Sequence, residues 1–395
     1  MGASEAGPIR LGLIGTGLAV EKLHWPALRR LPDRFVVTAF ADRSTAQGER
    51  FSSYSGVDMA CFTPDHHRLL ARDDVDAVLI SVPIPSLYEV AEHSLAAGKH
   101  VLCEKPTGTD EEQARAFLAL EDRYPDRTIL IGENYLYRDD IRHARALMDD
   151  GAIGKLHLMA WRRAGHLVPR EGSFTSTPWR HRPQYRGGVY LDAGVHDIAQ
   201  IRMLCGEVTR VHAAVQWVNS TIDSPSDLTL NLAFACGAIG NYTSTYSEIS
   251  VPEEPNDMRL YGTEGVLVLS GPEAERRVTL SRPDGTSQTD VFRGIDNGYY
   301  AELCNFSDAV QHGEPVVGTV GQSAANMLIV LRALDSAEQE TALPLDGPLS
   351  AVDGVPLWRP RGASGLFDGL PGERTTCNTA RPGERDGVIS TVDSP

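Results

Sequence analysis

Over its first third the chain alternates short β-branched apolar runs with segments of helical spacing, and few architectures accommodate that rhythm. The apolar runs are Ile9–Ile14, Phe35–Phe40, Val75–Ile80, His100–Cys103 and Thr128–Gly132. Between them, Leu23–Leu31, Pro85–Ala97 and Asp110–Asp122 space their apolar residues as helices do. The first ends at Pro32-Asp33 and the second at Gly98, a good residue to close a helix. Strand and helix in strict turn predict a doubly wound parallel sheet, an α/β fold, over residues 8–135.

After Asn134 the rhythm changes. Asp140–Asp150 reads as one helix, closed by Gly151 and Gly154. Strand-like stretches follow at Lys155–Trp161, Val208–Val218, Leu228–Phe234, Ala238–Tyr246, Met258–Tyr261, Val266–Leu269 and Arg277–Leu280. Turn residues separate them, which predicts a mostly antiparallel open sheet in an α+β domain over residues 136–345. Helical spacing returns at Tyr299–Gln311 and Gln322–Glu340. From about Asp346 glycine, proline and polar residues dominate, so residues 346–395 are expected to be mobile, unless Trp358 and Phe367 pin them to the body. The broad face of an open sheet is more cheaply buried than solvated, which leads to the expectation of a homo-oligomer, a dimer or tetramer.

The balance of 37 Lys+Arg against 53 Asp+Glu, a formal charge of -16, argues against a nucleic-acid or membrane-surface partner. Cys61, Cys103, Cys205, Cys236, Cys304 and Cys377 show neither Cys-x-x-Cys pairing nor metal-ligand spacing. They read as buried free thiols of a reducing compartment. Met1–Pro8 has no signal-peptide character, and no apolar run is long enough to span a bilayer, so a cytoplasmic location is expected.

The first strand runs into Gly15-Thr16-Gly17, glycines that permit a tight turn and close approach of a pyrophosphate to backbone N–H groups. The third glycine of the Gly-x-Gly-x-x-Gly pattern is replaced by Val20. Asp42 ends the second strand, where a carboxylate accepts from adenosine ribose hydroxyls and repels a 2′-phosphate. NAD is therefore expected over NADP, with Arg43 placed either to stack on adenine or to meet a 2′-phosphate.

Glu104-Lys105-Pro106 closes the fourth long apolar run and puts a lysine at the carboxyl edge of the sheet, where such folds bind ligands. A second constellation, Gly187-Gly188 followed by Asp192 and His196, brings a carboxylate and an imidazole within one helical turn. Lysine, carboxylate and imidazole together can move a proton while hydride leaves an alcohol carbon. His196 is the expected acid/base, Lys105 the group that holds the substrate oxygen, and Asp192 the residue that orients them. Asp65-His66-His67, His93 and His143 are set aside: adjacent helical histidines diverge, and none has a partner at ligand spacing, so no metal is expected. Between Trp161 and Arg186 lie Arg162, Arg163, Arg170, Arg180, Arg182 and Arg186 with Trp161, Phe174, Trp179 and Tyr185 among them. Two readings stand open for this basic island: an anionic sugar substrate, or pairing with acidic surface.

The chain resembles the Gfo/Idh/MocA oxidoreductases from about Arg10 to Leu345. The likeness rests on Gly15-Thr16-Gly17, His24-Trp25-Pro26-Ala27-Leu28, the run Ala97 to Pro106, Gly187-Gly188, Asp192 with His196, and Tyr261-Gly262-Thr263-Glu264-Gly265. It implies a Rossmann domain, a C-terminal open-sheet domain, and NAD(P)-dependent oxidation or reduction of a sugar or polyol. Lys105, Asp192 and His196 are the matching catalytic positions, and Trp179-Arg180 resembles a common family feature on the substrate side. The cofactor site is expected to comprise Gly15, Thr16, Gly17, Leu18, Asp42 and Arg43, with Pro83, Glu104, Lys105 and Asn134. One departure stands near the nicotinamide: a Pro-x-x-x-His motif is replaced by Pro83-Ile84-Pro85-Ser86-Leu87. Two other functions fit the scaffold, an NAD-dependent glycosidase and a non-catalytic NAD(P)-binding regulator.

Overall fold

The computed structural model describes residues 7–249, 256–346 and 354–379. Six parallel strands form the first sheet: β1 (Ile9–Ile14), β2 (Phe35–Ala41), β3 (Phe62–Thr63), β4 (Ala77–Ile80), β5 (His100–Glu104) and β6 (Ile129–Gly132). Their order, β3-β2-β1-β4-β5-β6, reverses direction between β1 and β4 and opens a crevice at the carboxyl ends of those strands. Strands covered by helices on both faces must be apolar throughout, and every residue of β4 is buried.

The second sheet has ten strands: β7 (Leu156–His166), β8 (Val208–Gln216), β9 (Asp227–Phe234), β10 (Ile239–Ser247), β11 (Met258–Gly262), β12 (Val266–Ser270), β13 (Glu275–Ser281), β14 (Ser287–Arg293), β15 (Leu343–Pro344) and β16 (Glu373–Thr379). The order is β15-β8-β9-β10-β7-β11-β12-β13-β14-β16, antiparallel except where β7 pairs with β10. β7 runs past its expected end because Arg162 to His166 pair with Thr243 to Ser247. The helices Val195–Cys205 and Val320–Gln339 pack against each other, and the latter lies on β8.

The expectation of a mobile C-terminal segment does not hold for residues 354–379. Val355 and Trp358 are buried, and β16 pairs along the whole of β14. The anchor is electrostatic as well as apolar: buried Arg142 donates to the Trp358 and Leu366 carbonyls and lies 4.9 Å from the Trp358 ring. The remainder of that segment, 347–353 and 380–395, lies outside the described residues. All six cysteines are unpaired, but only Cys103, Cys205 and Cys304 are buried; Cys61 is half-buried, and Cys236 and Cys377 are exposed. Among the described residues no helix is long and apolar enough to cross a membrane.

Candidate active site

A cleft of about 640 Å³ opens at the crevice and is walled by both domains. At its nucleotide end the backbone does most of the shaping. Gly15 has φ +85°, and a Cβ there would sit 2.2 Å from the Ser81 carbonyl oxygen, so only glycine fits. Gly17 faces open space, with no atom within 4 Å of where its Cβ would be. Val20 points into the core instead of the cleft, so a side chain at this position does not crowd a bound phosphate.

Gly15, Gly17, Leu18, Asp42, Arg43, Pro83, Glu104 and Lys105 all line the cleft. Thr16 does not: it is buried, and its amide and hydroxyl donate to Asp42 Oδ2 at 3.0 and 3.3 Å. The Ser44 amide donates to Asp42 Oδ1 at 2.9 Å, so the carboxylate is held from both sides while still facing the cleft. Arg43 is exposed on the same wall. Asn134 also departs from expectation. It is buried away from the cleft and donates to the Asn297 carbonyl at 2.7 Å, bracing a loop in which Asn297 has φ +59°. Leu87, at the place of the missing histidine, is buried in the core of the first domain.

The reacting end is built from interlocked charges. Lys105 Nζ donates to Asp192 Oδ1 at 3.1 Å and also to the Asp192 carbonyl. Arg180 Nε donates to the other oxygen, Oδ2, at 2.7 Å, with its guanidinium 4.0 Å from the Trp179 ring centroid. Burial acts to raise the Asp192 carboxyl, but the two cations outweigh it and hold it well below the usual carboxylate range. Asp192 is thus an ionised anchor and a poor proton acceptor near neutral pH.

A π-helical turn, Tyr190–Gly194, leads into the helix Val195–Cys205, so Asp192 and His196 are carried on a widened turn and take different partners. His196 Nδ1 pairs with Glu133 Oε1 at 2.6 Å, and its ring stacks on Tyr135 at 4.6 Å. With Nδ1 so held, Nε2 is the nitrogen left to exchange a proton in the cleft. Glu104 accepts from fully buried His24 at 2.7 Å. Burial pushes the Glu104 carboxyl up, but the His24 hydrogen bond and charge leave it below its ordinary range.

The structure therefore brings Lys105, Trp179, Arg180, Asp192 and His196 to one cleft, as the motifs led one to expect. Glu133, His24 and Tyr299 were missed. The signal for Glu133 was its place directly after β6, at a strand's carboxyl end, one residue before Asn134. Of the arginines in the basic island only Arg180 lines the cleft; Arg163 pairs with Asp197, Arg182 with Asp223, and Arg186 with Asp335 and Glu338.

Comparison with known proteins agrees with this architecture. The oxidoreductase family's NAD-binding Rossmann fold matches residues 9–131, and the GFO/IDH/MocA C-terminal domain matches residues 141–268. The chain belongs to the Gfo/Idh/MocA family of NAD(P)-dependent oxidoreductases. It is 30% identical to a dTDP-3,4-didehydro-2,6-dideoxy-alpha-D-glucose 3-reductase of Streptomyces violaceoruber, over 82% of this chain and 92% of the relative. An oxidoreductase structure from Thermotoga maritima shares 27% identity with a TM-score of 0.75, covering 85% of this chain and 98% of that one. A 3-ketoreductase from Actinomadura kijaniata, solved in complex with NADP and TDP-benzene, shares 26% identity over 83% of this chain and 98% of its own, with a TM-score of 0.70.

Proposed function

We propose that this protein transfers hydride between a nicotinamide cofactor and a secondary alcohol, or the matching ketone, of a sugar or polyol. The observation that carries the reading is the joining of Lys105, Asp192 and Arg180 into one charged cluster beside His196, in a cleft whose other end fits a dinucleotide. Bound nicotinamide accepts or supplies the hydride. Lys105 holds the reacting oxygen and stabilises developing alkoxide charge, while Asp192, fixed as an anion, aims the ammonium. As hydride leaves the carbinol carbon, the hydroxyl proton passes to His196 Nε2, and Glu133 steadies the imidazolium so formed.

The cofactor is NAD(H) in preference to NADP(H), since the Asp42 carboxylate lines the cleft at the end of β2 and repels a 2′-phosphate. Fluorescence titration of both reduced cofactors tests this; tighter binding of NADPH rejects it and makes Arg43 the phosphate partner. A nucleotide-linked sugar is the substrate class favoured by the relatives' names, with the aromatic faces of Phe174 and Trp179 and the Arg180 charge supplying the chemistry to receive one. Glycosidase and sensor functions are separated from this reading by incubating the protein with NAD+, NADH and a panel of free, glycosidic and nucleotide-linked sugars. Net change of nicotinamide redox state supports the proposal. Glycoside cleavage without net redox change supports the glycosidase, and no reaction at all supports a sensor. The protein assembles through the outer face of the second sheet, a point that sedimentation at micromolar concentration decides.

A further inference from the structure

Three histidines converge beside the cofactor cleft, which His66 itself lines, outside the charged cluster that surrounds Lys105. His66 and His67 open the short helix His66–Leu70, and His93 lies in the last turn of the neighbouring helix Leu87–Ala96. Their ring centroids lie 4.1, 4.7 and 5.6 Å apart. His66 Nε2 and His93 Nδ1 are 3.4 Å from each other, and one ring nitrogen from each of the three lies within 4.8 Å of the others. A tetrahedral ion with nitrogen ligands at about 2.0–2.1 Å separates those nitrogens by about 3.3 Å. One pair already stands at that separation, and small side-chain rotations bring in the third.

Adjacent histidines inside a helix diverge, but these two sit at a helix start, where the Asp65 side chain accepts the His67 N–H at 2.9 Å and fixes the turn. The cluster has little packing role, because His67 is exposed and the other two are half-buried. Imidazole nitrogens select zinc, copper or nickel over the oxygen-seeking magnesium and calcium. We propose that His66, His67 and His93 form a binding site for a divalent transition metal of the zinc class, solvent completing its coordination. The ion ties the helix His66–Leu70 to the helix Leu87–Ala96. It takes no part in hydride transfer, because none of the three histidines partners Lys105, Asp192 or His196.

The test uses full-length, tag-free protein stripped with a chelator and titrated with Co2+ as the spectroscopic probe. The expected result is saturation at one equivalent, with visible absorption of nitrogen-ligated Co2+, displaced stoichiometrically by Zn2+ and unaffected by Mg2+. His67→Asn, at an exposed position, and His93→Asn should each weaken Zn2+ binding by roughly tenfold or more. Circular dichroism and NADH binding serve as controls on folding in both variants. Absence of saturable Co2+ and Zn2+ binding, or affinity unchanged in both variants, overturns the proposal.

Discussion

The two ends of the cleft are built by different means. At the nucleotide end, shape comes from backbone: a left-handed glycine, an open one, and a carboxylate held by the Thr16 and Ser44 amides. At the reacting end, shape comes from side chains far apart in sequence, Lys105 with Asp192 at a separation of 87 residues and His196 with Glu133 at 63. The first end lies within one domain and forms wherever its parallel sheet forms. The second exists only when both domains are docked, and removing one partner strands a charge in a buried place, at a cost of about 3–5 kcal/mol for such pairs.

The sharpest way to break this contrast is Lys105→Ala. Turnover should fall roughly a hundredfold to a thousandfold, since a donor aimed at developing charge is lost. Cofactor affinity, measured by NADH fluorescence, should hardly move, because the nucleotide end does not depend on that ammonium. Retained turnover would dismiss the assigned mechanism, and lost cofactor affinity would show that the two ends are not independent.

His196→Asn should lower turnover about a hundredfold and flatten its rise with pH in the alcohol-oxidising direction. Asparagine hydrogen-bonds but cannot take the proton. Asp192→Asn should keep the pH profile, because the native carboxyl already titrates far below the assay range and is not the proton acceptor. A profile lost in Asp192→Asn but kept in His196→Asn would exchange the two roles.

Gly15→Ala probes the other end. The φ that L-residues avoid costs about 1–3 kcal/mol by itself, and the overlap with the Ser81 carbonyl forces the turn to shift as well. Cofactor binding should weaken correspondingly, while turnover at saturating cofactor stays near the native value. A fall in turnover with unchanged affinity would place the strain at the reacting end instead.

The same contrast explains what could be read from the chain. β1, β2, β4, β5 and β6 announce themselves because burial on both faces demands largely apolar runs, and Gly15 and Asp42 follow from them. β14 was not legible: in Ser287–Arg293 only Asp290 and Phe292 are buried, and Asp290 is made tolerable by His143 and Thr376. β16, rich in threonine and charge, becomes a strand only because β14 offers it an edge. Lys105, Asp192 and His196 could be named, but their partners could not, since nothing local ties Glu133 to His196. His66, His67 and His93 were visible as residues but set aside as ligands, since nothing in the sequence brings their two helices together.

The last expected effect is on stability rather than turnover, and concerns a buried carboxyl that feels the charges of Glu104 and Glu133. Glu302 is fully buried, and neither carboxyl oxygen has a hydrogen-bond partner among the described residues. Burial, with the charges of Glu104 and Glu133 adding to it, raises its carboxyl well above the ordinary 4.5, so it is neutral in the folded protein. The sign follows from proton counting. Above the unfolded value the unfolded chain releases this proton while the folded chain keeps it, so stability is full below that pH and declines as pH rises toward the folded value. The slope is at most about 1.4 kcal/mol per pH unit. Glu302→Gln keeps the neutral shape and removes the titration. Its stability should therefore gain on that of the native protein as pH is raised above the unfolded value, and the gain should stop growing once the folded value is passed. A difference that does not change with pH would mean that Glu302 is ionised in the fold. The reacting end would then hold a fourth carboxylate beside Asp192, Glu104 and Glu133, and a cation or solvent would have to reach it.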